Sequence, residues 1–241
     1  MDARPGTPPG SAVIVHGTWS NPGDMGWVRR LLEHAGVHVE APDLPSHRSA
    51  RAGLLEDADE VRRVIRSCPP PVVAIGWSYG CDVIGVAADG EGSVIRLIYA
   101  GAVPCRVGID PERIRWVDSP PWITADYSAG TFVLDNDWWV YEEKGTTFPP
   151  DVQEHIRRNP RRPAAIRINT DPIPAAAWKS IGTTVLLGVD DELVTDEERR
   201  WAAETFDDVR AVDTDHFLLF HRPEVVAGVA LEALRDAALP R

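Results

Sequence analysis

Cysteine is scarce: three residues in 241, Cys68, Cys81 and Cys105, scattered and odd in number. An odd count argues against a disulfide framework, and no C-x-x-C or Cys/His spacing offers zinc a site. They read as small buried thiols in a reducing compartment. Basic residues are also short, 25 Lys and Arg against 37 Asp and Glu, for a formal charge of −12 with seven His counted neutral. Such a surface repels phosphate backbones and anionic lipid, which sets aside nucleic-acid and membrane partners. No apolar run approaches the length of a membrane span. The opening M-D-A-R-P-G-T-P-P-G is polar and rich in Pro and Gly, unlike a signal peptide. The expectation is a soluble, cytoplasmic protein acting on a small molecule, with a homodimer left open.

What is present is an alternation of strand and helix patterns. Strand runs fall at Ser11–His16, Val37–Ala41, Val72–Ile75, Val94–Ala100, Thr183–Leu187 and Val209–Val212. Between them, apolar spacing predicts helices over Met25–Ala35, Leu54–Ser67, Tyr79–Ala88, Asp196–Phe206 and Pro223–Ala238. Alternation of this kind implies a doubly wound α/β fold: a mostly parallel sheet with right-handed crossovers and helices on both faces. From about Val103 to Trp178 the alternation stops, in a stretch rich in Pro, Trp and charge with no sustained strand run. A gap that long predicts a functional lid or inserted cap. The expected organisation is a flexible leader over 1–11 and one α/β domain over 12–241, interrupted by a cap at about 103–178.

Gly76-Trp77-Ser78-Tyr79-Gly80 is a G-x-S-x-G match between a predicted strand and a predicted helix. The chemistry needs a tight turn that lifts a Ser hydroxyl above the strand end, with glycines where side chains would collide. Three fixed residues at about 7 % usage each arise by chance about 0.08 times in a chain of this size, so the setting adds most of the weight. Ser78 is the candidate nucleophile, with Trp77 packed beneath the elbow. A hydroxyl needs a base, and in such elbows the acid and then the His follow the Ser in chain order. His216, after the last short strand, fits that place. His34, His38, His47, His155 and His221 fit less well, and His16 suits a loop organiser. For the acid, Asp190 and Asp191 both follow the penultimate strand, with a helix N-cap reading open for either and Asp191 favoured. Asp213 and Asp215, beside His216, suit loop or solvated roles. The oxyanion donors expected are the amides of Tyr79, at a helix N-terminus, and Thr18, where Gly17 permits close approach.

These residues together resemble the α/β-hydrolase superfamily, and within it the small esterase group of plant methyl esterases, hydroxynitrile lyases and related bacterial esterases. The resemblance rests on V-I-V-H-G-T, V-E-A-P-D-L-P, G-W-S-Y-G, A-W-K-S-I-G-T-T-V-L-L-G-V-D-D-E-L-V-T and D-H-F-L-L-F-H-R-P-E-V-V-A, and spans nearly the whole chain. It implies Asp191 as acid, His216 as base, and Thr18 and Tyr79 as oxyanion amides. Hydroxynitrile lyases of the group carry Thr where this chain has Gly17 and Lys where it has Phe217, which argues against cyanide chemistry. Ser78 argues against the Asp-nucleophile epoxide hydrolases and haloalkane dehalogenases. The group's D-L-P-G-H-G loop reads D-L-P-S-H-R here, with Ser46 and Arg48 in place of glycines.

Nine Trp is high for this length, and Trp19, Trp122, Trp138, Trp139 and Trp178 fall where a lid or pocket wall is expected. Trp138 and Trp139 can equally fasten the cap to the core. The expected function is a serine hydrolase of a small to medium, largely apolar ester, lactone or thioester, with no metal or organic cofactor. A biosynthetic acyltransfer, cyclisation or retro-addition could use the same residues, and a non-catalytic ligand-binding member of the fold is the third reading.

Overall fold

The structure, a computed structural model, describes residues 10–104, 121–137 and 147–239. Strands β1 (Ser11–Val15), β2 (His38–Glu40), β3 (Val72–Trp77) and β4 (Val94–Ala100) alternate with helices α1 (Gly26–His34), α2 (Leu54–Ser67) and α3 (Tyr79–Ala87). Then come β5 (Ile123–Asp126), β6 (Thr131–Leu134), α4 (Pro150–Arg158) and β7 (Ala164–Ala165). The alternation resumes with β8 (Thr183–Gly188), α5 (Asp196–Thr205), β9 (Val209–Val212), the single-turn α6 (Leu218–His221) and α7 (Pro223–Ala238).

Six strands pair in the order β2-β1-β3-β4-β8-β9, every pair parallel. Strands β1, β3 and β8 are buried at every residue, as continuous apolar runs in a sheet covered on both faces should be. Because successive side chains point to opposite faces, the two faces have separate cores. Val13, Val15, Ala74 and Tyr99 join α2 and α3, whereas Ala12, Ile14, Ile75 and Ile98 join α1 and α7. Helix α2 meets its core through Leu54, Ala58, Val61 and Ile65, one apolar stripe at helical spacing.

The stretch 103–178, which shows no sustained strand run in the sequence, carries short strands among its described residues. β5, β6 and β7 form a second, antiparallel sheet of three strands. Each is two to four residues long, and β5 is only half-buried, so no apolar run announces it.

The strand order creates the crevice that matters for function. After β1 the chain moves to one side of that strand, to β2, while β3 pairs on its other side. The loops following β1 and β3 therefore diverge at their C-terminal ends, the switch point where ligands of open α/β sheets bind.

Candidate active site

Ser78 is the single residue between β3 and α3, at φ 52° and ψ −123°. A side chain held in so sparse a region costs about 1–3 kcal/mol and persists only where its surroundings over-determine it. Here its N–H donates to the Ala100 carbonyl of β4 at 3.0 Å. The flanking glycines let the turn close: a Cβ on Gly76 would strike the Gly80 carbonyl, and one on Gly80 the Val15 carbonyl of β1. Tyr79 opens α3, so its amide is one of those the helix leaves without an internal acceptor.

The loop after β8 turns Asp191 inward, 3 % exposed, and leaves Asp190 exposed. It is pinned by the Asp190 N–H on the Thr214 carbonyl (3.1 Å) and by Arg199 Nη2 on the carbonyls of Gly188 and Asp191 (2.8 and 2.9 Å). Asp191 Oδ2 lies 2.9 Å from His216 Nδ1, and its Oδ1 accepts the Leu193 N–H at 2.9 Å. With Nδ1 donating to a carboxylate, His216 Nε2 is the ring atom left to accept a proton. The loop carrying His216 is tied under the elbow by Trp77 Nε1, which donates to the His216 carbonyl at 2.9 Å. Asp215 accepts the Phe217 N–H at 2.9 Å, while Asp213 is exposed.

Ser78, Asp191 and His216 all line one cavity of about 200 Å³. Gly17, Thr18, Trp19 and Trp122 line it as well, and a Cβ on Gly17 would come within 3.0 Å of Ser78 Cβ. Trp77, Leu134, Leu193, Phe217 and Arg161 belong to the same wall, although the sequence did not mark them for it. Trp178 is corrected: it packs on Trp201 and Phe206 in the helix-covered core, at ring distances of 5.8 and 5.4 Å. Trp138 and Trp139 lie outside the described residues.

The remaining histidines do other work. His34 and His38 are exposed. His221 stacks on Phe148 at 5.1 Å. His16 is fully buried, its Nδ1 2.9 Å from the Gly17 carbonyl and its Nε2 accepting the Leu44 N–H at 3.3 Å, the contacts of a loop organiser.

Asp24, which sequence reasoning missed, lies behind the cavity wall and holds one of its residues, Arg161. It is fully buried and accepts from Ser20 Oγ (2.5 Å) and from Arg161 Nη1 and Nη2 (2.7 and 3.1 Å), with His155 Nε2 at 2.7 Å. Burial alone would raise this carboxyl, but Arg161, His155 and Ser20 outweigh it and hold it well below the usual carboxylate range. Arg161 thus anchors the segment between β4 and β8 while lining the cavity. A carboxylate next to a Gly-rich turn gives no sequence signal that its partner lies 137 positions away.

Residues 12–229 match the family model described as "Alpha/beta hydrolase family". The chain belongs to that family. Among solved structures, this α/β hydrolase is similar to a pyrethroid hydrolase from Sphingobium faniae JZ-2, at 19 % identity and TM-score 0.74 over 95 % of this chain and 98 % of that one. It is similar to polyneuridine aldehyde esterase at 16 % identity and TM-score 0.71, covering 95 % and 99 %. A methylesterase from Arabidopsis gives 16 % identity and TM-score 0.71, covering 94 % and 99 %. At such identities the likeness is one of fold. No curated protein sequence matches the chain. Among the described residues, no helix is long and apolar enough to cross a membrane.

Proposed function

We propose that this α/β hydrolase is a serine esterase that cleaves a small to medium, largely apolar carboxylic ester, lactone or thioester through an acyl-enzyme. One observation carries the reading: Ser78, on a strained strand–helix elbow, shares a cavity with a His216 whose Nδ1 is held by buried Asp191. Ser78 Oγ attacks the substrate carbonyl as His216 Nε2 takes its proton, and Asp191 holds the ring and stabilises the imidazolium. The Thr18 and Tyr79 amides take the developing oxyanion. His216 then protonates the leaving oxygen or sulfur, and a water activated by the same nitrogen releases the acid.

The wall supports an apolar substrate, with Trp19, Trp77, Trp122, Leu134 and Phe217 around the serine. Its volume lies below the roughly 300–1,000 Å³ of drug-sized sites, which favours a short acyl group. Asp190, Glu192 and Asp215 on the same cavity disfavour an anionic substrate. Trp122, Leu134 and Arg161 come from the segment between β4 and β8, which supports its reading as a cap. The named esterases and hydrolase among the structural neighbours agree with this class of reaction.

A fluorophosphonate probe should label the wild type and not Ser78→Ala, and a p-nitrophenyl ester series should show turnover that falls as the acyl chain lengthens. Asp191→Asn should lower kcat by about 10⁴, whereas Asp190→Asn should stay within about three-fold of wild type. A folded wild type that takes no label would sink the reading.

A further inference from the structure

Beyond the groups used in that chemistry, a buried chain of polar contacts joins the two loops that carry the oxyanion amides. The Trp19 N–H, next in sequence to Thr18, donates to His47 Nε2 at 3.0 Å. A ring nitrogen that accepts carries no proton, so a neutral His47 has its hydrogen on Nδ1, 3.0 Å from Ser46 Oγ. Ser46 Oγ donates to Asp57 Oδ2 at 2.5 Å, and the Ser46 N–H donates to Oδ1 at 2.8 Å. Tyr79 Oη donates to the same Asp57 Oδ2 at 2.7 Å. Backbone N–H groups only donate and a carboxylate only accepts, so every link has a fixed direction. The order runs from Trp19 through His47 and Ser46 to Asp57, which the Tyr79 phenol meets from the other side. All four side chains after Trp19 are buried.

The loop so held is a strained one. Trp19 sits at φ 60°, and with Ser78 it makes the pair of non-glycine residues in positive φ among the described residues. Burial disfavours a charged His47 ring. His16 lies edge-on at 4.8 Å between rings and Tyr79 at 6.4 Å, with Asp43 and Arg162 nearby. Burial above all, with the Arg162 charge beside it, pushes His47 well below the ordinary imidazole value against the pull of Asp43.

We propose that His47 is a positioning residue for the oxyanion site. As an acceptor it fixes the Gly17–Trp19 turn, and through Ser46 and Asp57 it ties that turn to Tyr79, setting the spacing between the Thr18 and Tyr79 amides. This rests on the serine-esterase reading above, and it concerns the loop in which Ser46 and Arg48 stand in place of glycines on either side of His47.

The test compares wild type, His47→Gln, His47→Leu and Ser46→Ala in p-nitrophenyl acetate hydrolysis and in the rate of fluorophosphonate labelling. The imidazole ¹⁵N–¹H spectrum adds a readout independent of turnover, with the His47 signal assigned by its loss in His47→Gln. That signal should be the neutral Nδ1–H tautomer between about pH 6 and 8. In His47→Leu kcat should fall about ten-fold or more with KM within about two-fold, part of the 10²–10³ that one oxyanion donor is worth. His47→Gln, whose amide oxygen reaches the place of Nε2, should recover to within about three-fold of wild type. Ser46→Ala should lower kcat by an intermediate factor, and it carries the test if His47→Leu does not fold. An Nε2–H tautomer, or wild-type kcat in folded His47→Leu or Ser46→Ala, overturns the inference and leaves the esterase reading standing. Failure of the wild type to take the fluorophosphonate overturns the esterase reading itself, and this inference with it.

Discussion

Ser78 occupies a backbone conformation that a side chain resists, and its substitutions separate that strain from its chemistry. Alanine removes the hydroxyl but keeps the Cβ at φ 52°, whereas glycine removes both. Relief of about 1–3 kcal/mol competes with the 0.4–1 kcal/mol that glycine's freedom adds to the unfolded chain. Ser78→Gly should therefore melt above Ser78→Ala by the equivalent of about 1 kcal/mol, with neither variant labelled. A glycine variant that melts below the alanine one would show that the elbow holds no strain. At this scale the sequence carries Ser78 and His216 clearly, because a five-residue motif and a chain order are patterns along one strand of text. Asp190 and Asp191 differ only in which way the loop after β8 turns, fixed by Arg199 and the Thr214 carbonyl. Asp57 and Asp24 are silent in the sequence, and Ser46 shows there only as a replaced glycine, since each is one ordinary polar residue whose meaning depends on a partner brought close by folding.

Among elements, the six-strand sheet is legible because strands such as β1 and β3 are buried on both faces and so read as unbroken β-branched runs. The second sheet is not, since a two-residue strand such as β7 is defined by what it pairs with rather than by composition. Helix α4 hides for a related reason: only Val152 and Ile156 of its nine residues are buried. It and the loop after it are secured by charge more than by apolar area, through His155 and Arg161 on Asp24 and through Arg162 on Asp43 (2.6 Å). Asp24→Asn leaves the Arg161 guanidinium buried without its counter-charge and should cost about 3–5 kcal/mol, a melting temperature lower by roughly 10 °C. Asp24→Leu with Arg161→Met, which removes both charges, should regain most of that loss in the same melting measurement. A double variant as unstable as Asp24→Asn would mean the pair acts through shape, not charge.

Across the whole molecule, the site is assembled from the C-terminal ends of β1, β3, β8 and β9, with walls borrowed from the segment between β4 and β8. Occupying the cavity should therefore steady that segment, whose Arg157, Arg158 and Arg161 are trypsin sites. Protein phosphonylated at Ser78 should be cut there more slowly than the free form in limited proteolysis; equal rates would show that the cavity and the segment move independently. Arg161 gives this arrangement a consequence for adaptation. One face of it meets whatever enters the cavity, and its guanidinium closes the buried pair with Asp24. Variation at Trp122, Leu134 or Leu193 can reshape substrate choice without exposing a charge. Variation at Arg161 spends fold stability on every trial, so new specificities should arise around this arginine far more readily than at it.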